Sequence, residues 1–358
     1  EKTAVYGAVG GTLGTSAGVI VGLIFMLFVY FLNKKTFRKR YLRDIHGKED
    51  SYRDAFGLIF LMVTPIILTT FINNASNYLD SYLYAGIQGM HGINANSISA
   101  AYGEFSNYYI PVINIPLALA SASTSAMMPE VSGYFAVGDN KSANRSINKT
   151  IKLTMFICIP ATVGLTVLAH PIMGVLFPAA SDVATKLLVT GSLYVVFTAL
   201  CTVTGGALQS IGKQRTALIN AAVALGINLA SLAVMLLVAP GLDIYAVMIS
   251  GIIFSVAYCI LNEISIKKYL GFKARMKDTY VNPLIASAFM AVVAAIIYYL
   301  IFFATRRPFI GLVISVIAAV AAYLVFYVLF GRIPEEELRR YPMGTKLVKI
   351  MRLIRVYR

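Results

Sequence analysis

Residues 281–330 have the sequence VNPLIASAFMAVVAAIIYYLIFFATRRPFIGLVISVIAAVAAYLVFYVLF, in which two apolar runs flank Arg306 and Arg307. No charged residue occurs from 281 to 304 or from 309 to 330. Each run reaches the roughly 20 apolar residues that an α-helix needs to cross a bilayer. The stretch therefore predicts two membrane-spanning helices that are joined by a short turn.

Similar tracts occur along the whole chain of 358 residues, of which 58% are hydrophobic and 13% are charged. A soluble domain has about 25% charged residues. The sequence thus predicts an all-α integral membrane protein with about nine transmembrane helices. The predicted helices cover approximately residues 4–32, 55–84, 98–128, 151–177, 183–210, 216–238, 244–266, 281–304 and 308–330.

Basic residues are concentrated in every second connection between these tracts. Of the 31 Lys and Arg residues, 27 lie on one side of the predicted membrane. The four on the other side are Lys2, Lys186, Arg306 and Arg307. Cytoplasmic loops carry an excess of Lys and Arg. We therefore predict that the N-terminus is outside the cell and that the C-terminus is cytoplasmic. The predicted cytoplasmic segments lie around residues 34–53, 141–152, 213–215, 267–277 and 332–358.

The net charge of +15 admits two interpretations. A strongly basic protein can bind nucleic acid, but these charges lie in loops beside membrane spans. There they meet the anionic lipids of the inner leaflet, which attract each Lys or Arg by about 1 kcal/mol. We predict contact with anionic lipids at the cytoplasmic face and no nucleic-acid partner.

Polar side chains recur inside the apolar tracts, where they are costly and normally face a bundle interior or a watery cavity. Polar residues on several tracts at once predict a shared hydrophilic cavity. For any single amide, the alternative is a hydrogen bond between helices without a role in transport. The predicted cavity or substrate residues are Asn73, Asn77, Asp80, Glu104, Asn107, Asn114, Gln209, Asn220 and Asn228.

The first tract carries five glycines on one helical face. Small residues at this spacing let two membrane helices approach closely. We predict that this face packs tightly against another helix. The glycines are Gly7, Gly11, Gly14, Gly18 and Gly22.

Several chemical signatures are missing from the sequence. It has no Gly-rich loop with Lys and Ser/Thr of the nucleotide-binding kind. The three histidines and three cysteines show no metal-ligand spacing, and no Ser/His/Asp arrangement is legible. The sequence therefore predicts no cofactor, no metal and no enzymatic activity.

Five stretches resemble a known family. They are VTPIILTTFINNASNYLDSYL (63–83), YYIPVINIPLALASASTSAMMPEVSGYFAVGD (108–139), IPATVGLTVLAHPIMGVLF (159–177), GGALQSIGKQRTALINAAVALGINL (205–229) and IPEEELRRYPMGTKLVKIMRLI (333–354). Together they resemble polysaccharide-biosynthesis flippases of the MATE-like (MOP) superfamily. The most similar branch is the stage V sporulation protein B and MurJ-type lipid II flippase group.

The resemblance implies a fourteen-helix fold of which this chain supplies about nine helices. Because the chain starts at Glu1 without Met, we expect it to be the C-terminal part of a longer protein. The implied layout is the last helix of an N-terminal lobe (1–33), a basic cytoplasmic loop (34–53), a six-helix lobe (54–270), an extra helix pair (271–330) and a basic amphipathic cytoplasmic tail (331–358).

The resemblance also implies a function. It predicts a multi-pass protein of a bacterial plasma membrane that flips an undecaprenyl-linked sugar for cell-wall, spore or envelope polysaccharide synthesis by alternating access. Its partners would be that lipid-linked sugar and the envelope or spore synthesis machinery. The alternatives are a MATE-type drug/cation antiporter and a non-transporting membrane scaffold. An integral membrane glycosyltransferase is disfavoured, because the predicted outer loops are short and the longest one (85–97) holds no carboxylate.

Overall fold

Helices account for nearly all of the part of the chain that the structure describes. The computed structural model describes residues 2–41, 51–272 and 277–331, without the side chains of residues 2–16, 37, 40, 41, 55, 62, 65, 73, 277, 278 and 331. The α-helices are α1 (Lys2–Tyr41), α2 (Tyr52–Met90), α3 (Ala95–Gly103), α4 (Ile110–Ala136), α5 (Asn140–Val167), α6 (Ala169–Leu176), α7 (Asp182–Gly191), α8 (Leu193–Ser210), α9 (Gln214–Val238), α10 (Ile244–Leu270), α11 (Asn282–Thr305) and α12 (Pro308–Gly331).

Within those described residues, nine helical stretches are long and apolar enough to cross a bilayer. This confirms the all-α membrane fold and the number of spans. Residues 42–50 of the predicted basic loop and 332–358 of the predicted tail lie outside the described residues, and the sidedness of the termini stays a prediction. The chain divides into two compact units, residues 1–60 and 61–358. The predicted lobe boundaries also stay a prediction.

The predicted helix at 151–177 starts too late and contains a break, since α5 ends at Val167 and α6 covers Ala169–Leu176. α5 begins at Asn140, where the Asp139 side chain caps it by accepting the Ser142 N–H at 3.0 Å. Its first turns are amphipathic and therefore escape a search for apolar residues alone. The helix ends at Val167, because Pro171 has no N–H to donate to the Val167 carbonyl.

The predicted helix at 183–210 is interrupted, since α7 ends at Gly191 and α8 starts at Leu193. Side chains from neighbouring elements satisfy the carbonyls at the interruption. The Tyr109 hydroxyl donates to the Gly191 carbonyl at 2.8 Å, and the Thr162 hydroxyl donates to the Ser192 carbonyl at 3.3 Å. A Cβ at Gly191 would lie 2.6 Å from both Met248 Sδ and Tyr109 Oη, so a larger residue at this junction would require both side chains to shift.

A π-helical segment, Glu104–Tyr109, joins α3 to α4 without breaking the span. Each such segment inserts an extra residue into the helical turn and is often found at functional sites. Phe105 and Tyr109 of this segment are buried, with ring centroids 5.3 Å apart. The segment therefore turns two aromatic side chains into the interior of the second unit.

α8 lies at the centre of that interior. Its residues Val195, Ala199, Val203 and Ala207 have no exposed surface and belong to the main apolar core. Gly206 fits so closely against α4 that an added Cβ would lie 2.3 Å from Thr124 Cγ2. Close packing of this kind fixes α8 against its neighbours, because interiors at crystal-like density tolerate little displacement.

α11 and α12 form an antiparallel pair that is attached to α5. The Tyr323 hydroxyl of α12 donates to the Phe156 carbonyl of α5 at 2.8 Å. The Phe156 ring lies 5.3 Å from the Tyr323 ring and 4.7 Å from the Tyr327 ring. The helix pair is therefore part of the second unit and not a loose appendage to it.

Candidate functional site

One face of α2 carries a buried polar residue at almost every turn. We call this set, Ser76, Asp80, Tyr84 and Gln88, the polar ladder. Its members are four positions apart, which places them on the same side of a helix. Their exposed fractions are 8%, 6%, 1% and 0%, respectively. Such a buried stripe in a spanning helix needs partners for each polar group.

Asp80 is the charged member of the ladder, and its partner is Asn228 of α9. The Asn228 amide donates to Asp80 Oδ1 at 2.6 Å, and the Ser76 hydroxyl donates to Asp80 Oδ2 at 3.3 Å. Asn228 has no exposed surface, and its Oδ1 has no hydrogen-bond partner among the described residues. The site therefore combines a buried carboxylate with a free amide oxygen.

A small cavity opens beside this pair. Its volume is about 60 Å³, and its lining includes Asn77, Asp80, Tyr109, Tyr194 and Met248. A buried water needs about 10–15 Å³ measured in this way, so the cavity can hold a few waters. Tyr109 connects it to the α7–α8 interruption through the bond to the Gly191 carbonyl. The cavity thus lies between α2, the π-helical segment and α10.

The chemistry available at this site is hydrogen bonding and the binding of a small cation or proton. Carboxylate, amide and hydroxyl oxygens are the ligands that hard cations prefer. Asp80, Asn228 and Ser76 supply three such residues, fewer than the six to eight oxygens that Ca²⁺ takes from its surroundings. Across the described ranges, no group of three or more His, Cys, Asp or Glu residues could hold a metal.

The far end of the ladder meets the turn between α9 and α10. The Tyr84 hydroxyl and the Gln88 amide both donate to Asp243 Oδ1, the latter at 3.0 Å. The Gln88 amide also lies 3.4 Å from the Pro240 carbonyl. We call Tyr84, Gln88 and Asp243 the clasp. Sequence reasoning missed it, although the four-residue spacing of the ladder was a signal that could have revealed Tyr84 and Gln88.

Asn220 belongs to a different network, between α8, α9 and α10. Its amide donates to Asn262 Oδ1 at 3.0 Å and to the Ser265 hydroxyl at 3.1 Å. The Asn262 amide in turn lies 3.4 Å from the Thr204 hydroxyl. Asn220 is therefore engaged between helices and does not line the cavity beside Asp80.

The other predicted residues are dispersed. Glu104 accepts the Ser181 backbone N–H at 3.2–3.3 Å, which ties the π-helical segment to the start of α7. Asn107 and Asn114 are exposed, Gln209 is half-buried, and the side chain of Asn73 lies outside the described residues. The structure thus brings Asn77, Asp80 and Asn228 together. The role of all nine residues in a substrate pathway stays a prediction.

The glycine face of α1 falls mostly outside the described side chains, since Gly7, Gly11 and Gly14 are within residues 2–16. A Cβ at Gly18 or Gly22 would meet no described atom within 4 Å. Tight packing on this face stays a prediction.

Fold and site together define a multi-pass membrane protein with a hydrogen-bonded carboxylate between its spanning helices, as is typical of transporters. The family described as lipid II flippase MurJ matches residues 2–319, and the chain belongs to that family. Its members are transporters rather than catalysts. The chain is accordingly a multi-pass protein of the plasma membrane. The resemblance stated from the sequence motifs is thereby confirmed.

Three relatives agree with this assignment. The chain is 25% identical to the lipid II flippase MurJ of Bacillus subtilis (strain 168), over 82% of the chain and 54% of the relative. It is 22% identical to the stage V sporulation protein B of the same organism, over 96% of the chain and 65% of the relative. It is 26% identical to the probable lipid II flippase MurJ of Rickettsia prowazekii (strain Madrid E), over 44% of the chain and 28% of the relative. The chain therefore spans about half to two thirds of the length of the two Bacillus relatives.

Proposed function

We propose that this protein moves an undecaprenyl-linked sugar, such as lipid II, from the inner to the outer leaflet of the plasma membrane by alternating access. The observation that carries the proposal is the family match over residues 2–319. The precursor would serve cell-wall, spore or envelope polysaccharide synthesis. No bond of the substrate is made or broken in this movement, so we also propose that the protein is not an enzyme.

The size of the cavity bears on what Asp80 does. Pockets that bind drug-sized ligands have volumes of about 300–1,000 Å³. The cavity beside Asp80 has about 60 Å³, which is too small for a sugar headgroup. We infer that Asp80 and Asn228 govern the conformational cycle and do not contact the sugar. The headgroup would pass elsewhere, along surfaces that exposed polar residues such as Asn107 and Asn114 help to form.

The lipid tail stays in hydrocarbon throughout this cycle. α11 and α12 present exposed apolar residues, among them Leu284, Phe289 and Ile317. We propose that the lipid tail moves along the surface that these residues form. At the predicted cytoplasmic face, the exposed cations of α5, Lys141, Arg145 and Lys149, would hold anionic headgroups of the bilayer. Contact with envelope or spore synthesis machinery belongs to the same proposal.

Complementation of a depleted host tests the function. A bacterium depleted of its own lipid II flippase would express the complete protein, and lipid-linked precursor in the inner leaflet would be measured. We expect the protein to prevent accumulation, Asp80→Ala to abolish the rescue, and Gly86→Ala to retain it. The glycine is an exposed residue of the same helix with open space around it, which makes it the matched control.

Failure of the well-expressed protein to restore export of any tested precursor would contradict the proposal. It would favour a drug/cation antiporter or a non-transporting scaffold. Rescue by lipid II but not by other sugar lipids would define the substrate within the family.

The proposed orientation has its own test. Ser51 and Asn94 precede and follow α2, and both are exposed. Single cysteines at these positions would be labelled with a membrane-impermeant maleimide in intact cells, after replacement of Cys158, Cys201 and Cys259. We expect labelling at position 94 only, and labelling at 51 from outside would reverse the orientation.

A further inference from the structure

The attachment of α2 to the second unit is mostly polar. The described residues of α2 from position 61 onward that are buried are Thr69, Ser76, Asp80, Tyr84, Ile87 and Gln88. On the other side of the helix, Tyr78 and Tyr82 are 79% and 82% exposed. Between membrane helices, lipid supplies no hydrophobic drive for association. The ladder and its partners therefore determine where this part of α2 lies.

The two ends of the ladder have different partners. Ser76 and Asp80 meet Asn228, which lies within α9. Tyr84 and Gln88 meet Asp243, in the turn after α9. Asp80 and Gln88 are eight residues apart, which is about 12 Å along a helix. A contact at that distance fixes both the height and the rotation of the helix at Asp80.

The unusual backbone conformation of Asp243 indicates that its carboxylate has a structural role. Its φ is 46° and its ψ is −132°, a combination that suits glycine and that other residues rarely adopt. Such a conformation persists only where the surroundings impose it. Glycine would fit this turn more easily, yet the position holds a carboxylate whose Oδ1 accepts from both Tyr84 and Gln88.

We propose that Asp243 is a positioning residue. Through Tyr84 and Gln88, it holds α2 at the height and rotation that bring Asp80 against Asn228. This rests on the proposed function, because it serves the site that we assign to the transport cycle. Asp243 itself touches neither Asp80 nor, in this proposal, the substrate.

Disulfide cross-linking measures the effect directly. In the complete protein without native cysteines, the pair Ser76→Cys/Asn228→Cys would report the contact between α2 and α9, where the native side-chain atoms are 3.4 Å apart. The pair Thr204→Cys/Asn262→Cys would report a contact between α8 and α10 with the same distance of 3.4 Å. Both would be oxidised with a membrane-permeant copper–phenanthroline complex, and the rates of disulfide formation compared.

Two variants separate the side chain from the backbone. Asp243→Gly removes the carboxylate and suits the positive φ, so that any effect comes from the lost clasp. Asp243→Asn keeps an oxygen acceptor, and Asn, like Asp and Gly, is found at positive φ in primed turns. We expect Asp243→Gly to slow cross-linking of the 76/228 pair by about tenfold, in line with the loss of hydrogen bonds to a charged group, and Asp243→Asn to slow it by less than about twofold. The 204/262 pair should be unaffected.

An unchanged 76/228 rate in Asp243→Gly would overturn the proposal. Equal slowing of the 204/262 pair would also overturn it, because the turn would then stabilise the whole unit. In the complementation assay, Asp243→Gly in the otherwise native protein should lose rescue, and Asp243→Asn should retain it. If the native protein fails to rescue, the proposed function is contradicted. The cross-linking rates would still show whether Asp243 positions α2.

Discussion

α8 and the part of α2 from position 61 onward belong to the same unit but are held in different ways. α8 is surrounded by apolar side chains and a close glycine contact, with Val195, Ala199 and Val203 fully buried. α2 is held from Ser76 to Gln88 by hydrogen bonds to α9 and to the turn that follows it. A close-packed contact has few alternative arrangements, whereas a hydrogen bond can be exchanged for one to another partner or to water. The difference indicates that α8 is a fixed support and that the contacts of α2 are the ones a transport cycle can change.

The same contrast recurs on a single helix. Asn220 and Asn228 both lie on α9, but Asn220 bonds to neutral groups of α10 and Asn228 bonds to the carboxylate of α2. An amide that binds a buried charge is worth more than one that binds neutral partners. Asn228 is therefore the more sensitive position.

The largest effect is expected for Asn228→Ala, which leaves the Asp80 carboxylate buried with Ser76 of α2 as its hydrogen-bond donor. Loss of a hydrogen bond to a charged group costs about 1.5–3 kcal/mol, and we expect the free energy of unfolding to fall by that amount. Export of precursor should be lost. Unfolding in detergent and the complementation assay would measure the two effects.

Asn220→Ala is the control for that prediction. It removes two neutral hydrogen bonds and should lower the free energy of unfolding by about 1–2 kcal/mol while leaving export intact. Equal loss of export in the two variants would contradict the prediction that transport is more sensitive to Asn228 than to Asn220.

A smaller effect is expected in the close-packed region. The Cβ of Gly206→Ala would lie 2.3 Å from Thr124 Cγ2. Overpacking of this kind costs about 1–3 kcal/mol. The apparent melting temperature should fall, and the added change Thr124→Ser, which deletes the methyl group but keeps the hydroxyl, should restore it. A fall that Thr124→Ser does not reverse would show that another contact is responsible.

The smallest effect is expected for the same substitution on α2. A Cβ at Gly86 would meet no atom within 4 Å. Alanine is favoured over glycine within a helix by about 0.5–1 kcal/mol, so Gly86→Ala should be neutral or slightly stabilising. The apparent melting temperatures of Gly86→Ala and Gly206→Ala would be measured side by side. A clear loss of stability would mean that this face of α2 is packed, contrary to the difference drawn between the two helices.

Hydropathy was sufficient to predict the spanning helices, because lipid imposes length and composition on each of them. It could not show which polar residues meet. Asp80 and Asn228 are separated by 148 positions, and their pairing depends on how α2 docks. The prediction also ended the second helix at 84, four residues before Gln88. Asp243 lies in a turn, where polar residues are common, so the sequence does not single it out.

A second limit concerns three of the predicted cavity residues, Glu104, Asn107 and Asn114. These residues share a side only if the helix keeps 3.6 residues per turn. The π-helical segment Glu104–Tyr109 inserts one residue, which turns everything after it by roughly 100°. Glu104 consequently faces Ser181, whereas Asn114 is exposed on α4. The spacing of apolar residues in the sequence does not reveal the extra residue of a π-helical segment.

The bond between Tyr323 and Phe156 has a consequence for biosynthesis. Its two residues are 167 positions apart. At about 5–20 residues per second, a ribosome needs roughly 8–33 s to reach the second after the first. During that interval, the face of α5 that carries Phe156 is in the bilayer without the helix that later covers it. The insertion machinery or lipid must shield this face until α12 is inserted. The packing of α5 is therefore completed only after the last described helix has been synthesised.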